Sequence, residues 1–307
     1  MTFDALLKSA AQRLQLAGSP SPRIDAEVLM EFATGRSRTW LYTWGDSECP
    51  TWEHARFDAL IAARAQGQPV AYLTGEREFW GLPLATSPTT LIPRPDTETL
   101  VEAALARAGT PTGRLLDLGT GTGAIALAFA SEKPDWQVVG VDVRPEAVAL
   151  AAHNARTLNI TNATFLVSDW FSAFTLSSLS TSSSSASSPS TSSPGSSLPG
   201  SPSLGSTFEI IVSNPPYIAA DDPHLGQGDV RFEPRSALVA EADGMADLLH
   251  LITQAKAYLM PGGWLALEHG YQQAPGVRQA LEKAGYLSVE SVQDMGGHER
   301  VTLGHLE

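Results

Sequence analysis

Short apolar runs alternate with helix-like segments over the C-terminal two thirds of the chain. The apolar runs have the length and β-branched content of buried strands, and the segments between them repeat apolar residues at helical spacing. We predict strands at 115–118, 137–141, 210–212 and 264–267, and helices at 124–130 and 145–154. This alternation predicts βαβ units, and therefore an α/β fold with a mostly parallel sheet and helices on both faces.

The last segment differs, because two strand-like runs follow each other without a helix between them. They lie within residues 287–306 and are joined by a turn at Met295-Gly296-Gly297. Neighbouring strands joined by a tight turn are antiparallel. We therefore expect an antiparallel edge on the otherwise parallel sheet.

The N-terminal 75 residues have a helical pattern throughout. Apolar residues recur at helical spacing over residues 6–14 and again after Ser21-Pro22, a typical helix start. Thr51 is a good N-cap for a third helix, which we expect to stop near Gly67. These segments predict a small helical domain.

The segment between Pro69 and Pro95 links the two parts of the chain. Proline and glycine punctuate it, and aromatic and β-branched residues lie between them, which predicts a β-hairpin or an extended strap. We accordingly divide the chain into a helical domain at 1–75, a hairpin or extended linker at 76–95 and a larger α/β domain at 96–307.

A serine-rich segment interrupts the larger domain. Residues 177–206 contain 17 serines among 30 residues and no charged side chain. Such a segment can bury almost no apolar surface, so we expect it to be a disordered insert. A flexible insertion between two neighbouring elements adds only a slowly growing closure entropy, so the fold can accommodate it.

Composition and charge argue against several classes of protein. The formal net charge of −13 disfavours a general attraction to nucleic acid or to an anionic membrane. The single cysteine, Cys49, rules out an internal disulfide and a cysteine-based zinc site, and the seven histidines form no ligand-like pairs. No signal peptide and no apolar run of about 18 residues is recognisable. We therefore expect a cytoplasmic protein without a metal site or a membrane span.

A glycine-rich loop follows the first predicted strand of the larger domain. Its sequence, Gly119-Thr120-Gly121-Thr122-Gly123, allows a sharp turn and a close approach of the backbone to a ligand. With the alanine that follows, the loop also satisfies the dinucleotide pattern G-x-G-x-x-G/A. A nicotinamide cofactor is therefore one candidate ligand of this loop.

Two acidic residues near the loop shift the balance away from a dinucleotide. Asp117 stands two residues before the first glycine, where its carboxylate can attract a cationic amino acid group but would repel a pyrophosphate. Asp142 ends the next predicted strand and can accept hydrogen bonds from both hydroxyls of a ribose, which suits either kind of cofactor.

A second motif, Asn214-Pro215-Pro216-Tyr217, follows the strand predicted at 210–212. The carboxyl end of a central strand is where open α/β sheets bind their ligands. The two prolines remove two backbone donors and stiffen the turn, which leaves the Asn214 side-chain oxygen and the Pro215 carbonyl as acceptors beside an aromatic ring. These acceptors suit a planar NH₂ group, whose delocalised nitrogen becomes more nucleophilic when both hydrogens are held.

These motifs resemble those of the Rossmann-like class I methyltransferases that use S-adenosylmethionine. The resemblance implies that the glycine loop and Asp117 hold the methionine part of the cofactor and that Asp142 holds the ribose. It further implies that Ser168, Asp169 and Trp170 flank the adenine, while Asn214 lies against both cofactor and substrate. The Asn-Pro-Pro-Tyr motif is shared by enzymes that methylate planar amino groups in nucleic acids or in protein glutamine.

More of the chain is similar to the release factor glutamine methyltransferases. The similarity runs almost end to end without the serine-rich segment, and its most specific stretch is LIPRPDTE at 91–98. Other matching stretches are at 69–75, 78–80, 233–234, 237–238 and 268–270. The resemblance implies methylation of the side-chain amide nitrogen, N5, of the glutamine in the Gly-Gly-Gln loop of class I peptide-chain release factors. It also implies that the helical domain helps to recognise this protein substrate.

Two glutamates in the matching stretches, Glu233 and Glu268, could be taken for an acid/base pair. We interpret them as structural, through loop anchoring and strand-end hydrogen bonding, because the proposed chemistry needs neither. Leu91 and Arg94 are expected near the cofactor or substrate channel, and their spacing assigns them no role.

Three other functions stay open at this point. An amino-group methyltransferase acting on nucleic acid shares the same tetrapeptide but predicts a basic face. A non-catalytic S-adenosylmethionine-binding protein or assembly factor would share the cofactor loop without turnover. An NAD oxidoreductase would bind nicotinamide instead of S-adenosylmethionine.

Overall fold

The computed structural model describes residues 1–174 and 207–307. The predicted disordered insert at 177–206 lies outside the described residues. Among the described helices, none is long and apolar enough to cross a membrane.

Helices occupy the N-terminal part of the chain. They are α1 (Phe3–Leu16), α2 (Pro22–Thr34), α3 (Arg38–Trp44), α4 (Thr51–Ala65) and α5 (Val70–Thr74). Their apolar faces enclose a separate core of buried residues that includes Phe3, Leu14, Leu29, Phe57 and Ile61. The predicted start of α2 at Ser21-Pro22 is confirmed, with Ser21 as the N-cap.

The structure differs from the sequence analysis in three local details of this part. Thr51 is the first residue of α4, and Pro50 occupies the cap position. Helix α3 was not predicted, because its seven residues are too few to show a clear periodicity. The expected hairpin or strap from Pro69 begins with the one-turn helix α5, which ends at Gly75 in the left-handed conformation.

The expected hairpin follows as β1 (Glu76–Phe79) and β2 (Leu82–Ala85), paired antiparallel. Trp80 and Gly81 both have positive φ angles, as a two-residue hairpin turn requires. Phe79 and Leu84 are buried in the core of the α/β part, and the Ala85 amide donates to Asn154 Oδ1 at 2.9 Å. The hairpin therefore packs on the larger part of the molecule, and the division into domains stays a prediction.

The larger part is built on a sheet that has seven strands within the described residues. These are β3 (Arg114–Leu118), β4 (Gln137–Asp142), β5 (Ala163–Val167), β6 (Phe208–Ser213), β7 (Leu259–Glu268), β8 (Leu287–Gln293) and β9 (Glu299–His305). Their spatial order is β5-β4-β3-β6-β7-β9-β8. The first five are parallel, and β9 pairs antiparallel with both β7 and β8. The predicted strands, the mostly parallel sheet and the antiparallel edge are confirmed.

Helices cover both faces of this sheet. They are α6 (Glu98–Arg107), α7 (Ala124–Glu132), α8 (Pro145–Thr157), α9 (Ala246–Gln254) and α10 (Ala274–Ala284). One apolar cluster lies between the sheet, α6 and α7, and the other lies between the sheet, α9 and α10. Because side chains alternate along a strand, each buried strand contributes to both clusters. The result is a three-layer α/β sandwich.

A buried ion pair network joins the N-terminal helices to a loop of the larger part. The Arg64 side chain is 5% exposed and contacts Asp25 Oδ2 at 2.7 Å and Asp229 Oδ1 at 2.6 Å. Asp25 also accepts hydrogen bonds from the hydroxyls of Ser19 and Ser21. Because Asp25 lies in α2 and Asp229 follows β6, one guanidinium group spans both parts.

Replacing Arg64 by alanine is expected to lower the free energy of unfolding by about 3–5 kcal/mol, because it leaves the buried Asp25 carboxylate without its cation. Arg23→Ala is the matched control, since it breaks an exposed pair with Glu27 and should leave the free energy of unfolding nearly unchanged. Urea denaturation followed by tryptophan fluorescence measures both. Equal effects of the two substitutions would contradict the assignment.

Candidate active site

The main cleft opens where the strand order reverses. Strand β3 pairs with β4 on one side and with β6 on the other. The connection after β3 leads toward β4 and the connection after β6 leads toward β7, so the two connections diverge at this point. A crevice at the carboxyl ends of the strands results, which is where open α/β sheets bind ligands. Most of the predicted site residues line this cleft, namely Gly119, Thr120, Gly121, Thr122, Asp142, Asp169, Trp170, Asn214 and Pro216.

The three glycines of the loop have different roles in the structure. All three have positive φ angles, of 74°, 53° and 83° for Gly119, Gly121 and Gly123. A Cβ atom built at Gly121 would meet no protein atom within 4 Å, so it would project into the cleft, whereas one at Gly123 would lie 3.0 Å from the Ala151 Cβ. Gly121 therefore leaves space for a ligand, and Gly123 lets α7 pack closely on α8.

Asp117 lies beneath the loop and does not line the cleft. It is completely buried, and its Oδ2 accepts a 2.6 Å hydrogen bond from the Thr120 hydroxyl. Burial raises the pKa of Asp117 to about 7, and the hydrogen bond from Thr120 opposes that shift. The Asp117 carboxylate therefore holds the glycine loop through Thr120. The sequence did not indicate that Asp117 is buried.

Asp142 stands at the end of β4 with its carboxylate in the wall of the cleft. Oδ2 accepts from the Gly121 amide and Oδ1 from the Arg144 amide, both at 3.0 Å. Each carboxylate oxygen has a further lone pair, so both can still accept from a ligand. Two neighbouring ribose hydroxyls would satisfy this arrangement.

The segment after β5 forms the opposite side of the cleft. Trp170 has a φ angle of 47°, and its carbonyl accepts a 2.7 Å hydrogen bond from the Ser168 hydroxyl, which holds this unusual conformation. The Trp170 ring lies 3.8 Å from the Cβ position of Gly119. Asp169 is exposed at the rim. A flat ligand group can therefore pack beside the indole near the glycine loop.

The Asn-Pro-Pro-Tyr turn is fixed to the centre of the sheet. Ser213 Oγ donates to the Leu118 carbonyl at 2.7 Å, which joins the end of β6 to the end of β3. Asn214 Nδ2 donates to Thr97 Oγ1 at 3.2 Å. No described residue donates to Asn214 Oδ1 or to the Pro215 carbonyl. The two predicted acceptors are therefore available to a substrate.

Tyr217 turns away from the cleft and packs in the core beside α10. Its hydroxyl donates to Glu268 Oε1 at 3.3 Å, and burial raises its pKa above the ordinary range. Its carbonyl accepts from Gln273 Nε2 at 3.1 Å. A Cβ at Gly244 would lie 2.1 Å from that carbonyl oxygen, so only glycine fits there. Tyr217 thus anchors the turn.

The LIPRPDTE stretch at 91–98 forms a further wall of the cleft. Leu91 and Arg94 both line it, as expected. Glu233 forms an ion pair with Arg94, and its Oε2 accepts from the Ile92 amide at 3.1 Å. Burial raises the pKa of Glu233, and the Arg94 charge and the Ile92 amide oppose that shift. These contacts agree with the anchoring role expected of Glu233.

The polar residues of the cleft wall that the sequence did not single out include Thr97, Ser236 and Asp247. Burial raises the pKa of Asp247, and His250 opposes the shift. Asp247 lies in the first turn of α9, close enough to Asp169 for that charge to raise its pKa further. Only Thr97 belonged to a stretch that the sequence marked as specific.

The residues present fit S-adenosylmethionine. The open glycine backbone accommodates a closely bound chain, Asp142 has free acceptor capacity for a ribose, and Trp170 offers an aromatic face. Beside this cradle, Asn214 lines the cleft, and its Oδ1 and the neighbouring Pro215 carbonyl have no donor among the described residues. Among the described residues, no cluster of three acidic, histidine or cysteine side chains is arranged to hold a metal ion.

The strand order, the glycine loop and the acid at the end of β4 define a Rossmann-like class I methyltransferase that uses S-adenosylmethionine. Residues 110–296 match the family described as methyltransferase domain, and residues 5–75 match the PrmC N-terminal domain. The chain belongs to the family of the release factor glutamine methyltransferases, and its relatives match over nearly their whole length.

Two of these relatives illustrate the similarity. The release factor glutamine methyltransferase of Salmonella typhimurium strain LT2 is 52% identical over 99% of this chain and 99% of its own. The protein of the same name from Pseudomonas aeruginosa is 47% identical over 99% of this chain and 98% of its own. Their names describe the activity as glutamine methylation of a release factor.

A solved structure shows the same fold at low sequence identity. The hMettl16 catalytic domain in complex with MAT2A 3'UTR hairpin 1 has a TM-score of 0.52 and 16% identity, over 80% of this chain and 80% of its own. The similarity is one of fold alone.

Replacing Gly121 by alanine is expected to weaken S-adenosylmethionine binding by about tenfold or more, equivalent to about 1.4 kcal/mol, because the new methyl group projects into the cleft. Gly18→Ala is the matched control, since Gly18 also has a positive φ and open space around it but lies after α1, outside the cleft. Isothermal titration calorimetry gives both dissociation constants. An unchanged constant for Gly121→Ala would rule out a ligand against this loop.

Proposed function

We propose that the protein transfers a methyl group from S-adenosylmethionine to the side-chain amide nitrogen, N5, of the glutamine in the Gly-Gly-Gln loop of class I peptide-chain release factors. The observation that carries this proposal is Asn214, which lines the cofactor cleft and whose Oδ1, like the carbonyl of the next residue, Pro215, accepts from no described residue. The family relationship supports the choice of protein glutamine as the methyl acceptor.

The cofactor residues divide the binding task. Gly119 to Gly123 support the methionine part, Asp142 accepts from the ribose hydroxyls, and Trp170 with Asp169 borders the adenine. Asp117 acts indirectly in this proposal, because it holds the loop from below through Thr120. Asn214 lies at the junction of cofactor and substrate. Bound S-adenosylmethionine supplies an electrophilic methyl group on its sulfonium.

The acceptor residues compensate for the low nucleophilicity of an amide nitrogen. Its lone pair is delocalised into the carbonyl group. Asn214 Oδ1 and the Pro215 carbonyl each accept one hydrogen of the NH₂ group, which favours the pyramidal, electron-rich nitrogen required for attack. Pro215 and Pro216 stiffen the turn, so the two acceptors stay in place during the reaction.

No general base is needed before methyl transfer. The proton leaves the nitrogen after the methyl group has arrived, when the nitrogen carries a positive charge and is strongly acidic. The rate then depends mainly on how close the nitrogen lies to the methyl group and on how well the two are aligned. The segment at 91–98 enforces this geometry because it forms one wall of the cleft. Glu233 holds the segment at 91–98 in place and is not required as a base.

The N-terminal helices have a place in this proposal as the region that recognises the release factor. Their connection to the loop after the Asn-Pro-Pro-Tyr turn, through Arg64 and Asp229, puts a protein bound there close to the catalytic turn. A release factor is a cytoplasmic protein, so we assign the same location to this enzyme. Neither a metal ion nor a membrane takes part.

Methylation of an amino group in nucleic acid is not favoured. It shares the chemistry of the Asn-Pro-Pro-Tyr turn, but the net charge of −13 opposes a polyanion. The two relatives described above are also named release factor glutamine methyltransferases.

The direct test offers labelled S-adenosylmethionine with purified release factor, with a release factor whose Gly-Gly-Gln glutamine is replaced by alanine, and with DNA. Label on the intact release factor alone is the expected result. Label on DNA alone would support the nucleic-acid alternative, and no label on any substrate would favour a non-catalytic binding protein.

Asn214→Ala is expected to lower the rate of methyl transfer by about 10²–10³-fold, because one of the two acceptors is lost. Binding of S-adenosylmethionine should change little, since the cradle of glycines and Asp142 stays intact. Single-turnover transfer and calorimetric titration measure the two quantities separately. Near-normal transfer by this variant would rule out the acceptor role of Asn214.

A further inference from the structure

The side chain of Gln273 joins three segments beside the Asn-Pro-Pro-Tyr turn. Its Nε2 donates to the Tyr217 carbonyl at 3.1 Å and to the Asp243 carbonyl at 3.3 Å. Its Oε1 accepts from the Gly270 amide at 2.9 Å. These partners belong to the catalytic turn, to the loop before α9 and to the loop after β7. One carboxamide therefore connects the catalytic turn to two neighbouring loops.

The three hydrogen bonds require a carboxamide at this position. Two backbone carbonyls need two donor hydrogens and one backbone N–H needs an acceptor, which is the set of groups that a glutamine side chain offers. A flipped amide would set its oxygen against both carbonyls and its NH₂ group against the Gly270 amide. The backbone partners therefore fix the orientation of Gln273, and a carboxylate in its place could not donate to Tyr217 or to Asp243.

The backbone that carries this side chain is itself fixed. Gln273 is the N-cap residue of α10. Its amide donates to the Gly270 carbonyl at 2.8 Å, and its carbonyl accepts from the Val277 amide at 3.0 Å. Ala274 and Val277 are completely buried, so the start of α10 packs against the core. Because the helix end is fixed, the three side-chain bonds hold the two loops and the catalytic turn in place.

The loop before α9 has a backbone conformation that needs such support. Ala242, Asp243 and Gly244 have φ angles of 52°, 54° and 80°, and the first two carry a Cβ that disfavours the left-handed region. Such a conformation persists where surrounding contacts hold it. A Cβ at Gly244 would lie 2.8 Å from Gln273 Nε2, so this loop packs directly against the carboxamide.

The segment that contains this loop also forms part of the cleft wall, at Ser236 and Asp247. It pairs with Ile218, the residue that follows the catalytic turn. The Ile218 amide donates to the Leu238 carbonyl at 2.9 Å, and the Ile218 carbonyl accepts from the Ala240 amide at 3.1 Å. The catalytic turn and this wall of the cleft are therefore connected through the backbone.

The peptide group between Tyr217 and Ile218 is held at both ends. Its N–H donates to the paired segment, and among the described residues the donor to its C=O is Gln273. Loss of the Gln273 bond would leave one end free, so the peptide plane could rotate. The rings of Pro215 and Pro216 fix their φ angles. Few dihedral angles therefore separate this plane from the Pro215 carbonyl, and a rotation would displace that acceptor.

We propose that Gln273 is a positioning residue that holds the carboxyl end of the Asn-Pro-Pro-Tyr turn, so that the two acceptors of the turn keep their places for the substrate amide. The inference rests on the proposed function and adds one residue to it. Gln273 does not line the cleft. It acts through Tyr217 and the loop before α9, and it touches neither cofactor nor substrate.

Gln273→Glu keeps the shape of the side chain and sets a carboxylate oxygen against the Tyr217 and Asp243 carbonyls. Single-turnover methyl transfer at saturating cofactor and release factor should fall by about 10–100-fold. Gln272→Glu is the matched control, because it makes the same change of charge at an exposed neighbour whose Nε2 donates to the Tyr271 hydroxyl. This control should transfer at the wild-type rate, and equal rates for the two variants would overturn the proposal.

Gln273→Met separates the lost hydrogen bonds from the added charge. Methionine has a similar length and volume and makes none of the three bonds, so transfer should again fall, by about tenfold. Transfer at the wild-type rate by this variant would contradict a positioning role for the carboxamide.

Cofactor binding separates positioning from a merely structural role. The glycine loop follows β3 and Asp142 ends β4, so both variants of Gln273 leave the cofactor cradle in place. Calorimetric titration with S-adenosylmethionine should therefore give full stoichiometry and a dissociation constant within about threefold of the wild type. A reduced stoichiometry that matches the loss of transfer would mean that part of the protein is unfolded, and it would overturn the assignment.

A readout without the methyl acceptor keeps this inference separate from the proposed function. Amide hydrogen exchange followed by mass spectrometry should be about tenfold faster or more in peptides containing Ile218 and Ala240 of Gln273→Glu. It should be unchanged at 119–123 and throughout Gln272→Glu. Unchanged exchange at Ile218 and Ala240, or faster exchange over the whole chain, would overturn the inference even if release factor is methylated. Faster exchange confined to these peptides would uphold Gln273 as the residue that holds the turn even if it is not.

Discussion

The parallel pairing of β3 with β6 is the constraint on which the active site depends. Its register sets Leu118 opposite Ser213, and the Ser213 hydroxyl closes the end of the pair by donating to the Leu118 carbonyl. The glycine loop begins directly after one strand and Asn214 directly after the other. Cofactor and methyl acceptor therefore meet at one edge of the sheet, and neither loop can shift without breaking a buried strand pair.

The remaining walls of the cleft are tied to this edge by ionic contacts. The segment at 91–98 is held by the ion pair of Arg94 with Glu233. The loop that carries Glu233 is held to the N-terminal helices by the ion pair of Arg64 with Asp229. The N-terminal helices are thus connected, through this loop, to the segment at 91–98. Each part has its own core, and the described residues that line the cleft all come from position 89 onward.

Sequence patterns predicted the elements and groups that are determined locally, and they missed those that depend on long-range contacts. The strands, the glycine loop and the Asn-Pro-Pro-Tyr turn each have a signature within about ten residues. Thr97 and Asn214 are separated by 117 positions, so neither sequence neighbourhood indicates their bond. The depth of Asp117 was missed for the same reason, because strand pairing buries it and its spacing from the glycines does not. Helix α5 was too short for periodicity to reveal.

Asp117 and Glu268 are buried carboxyl groups that hold two turns of the active site although their ionisation lowers stability. Each is fully buried with a pKa raised to about 7, so ionising either one reduces stability at neutral pH. Each also accepts from a residue whose position shapes the site, Asp117 from Thr120 in the glycine loop and Glu268 from Tyr217 in the Asn-Pro-Pro-Tyr turn. A neutral hydroxyl or amide at these two positions would be less costly, but it could either donate or accept. Only an ionised carboxylate fixes the direction of its neighbours' hydrogen bonds, because it can only accept.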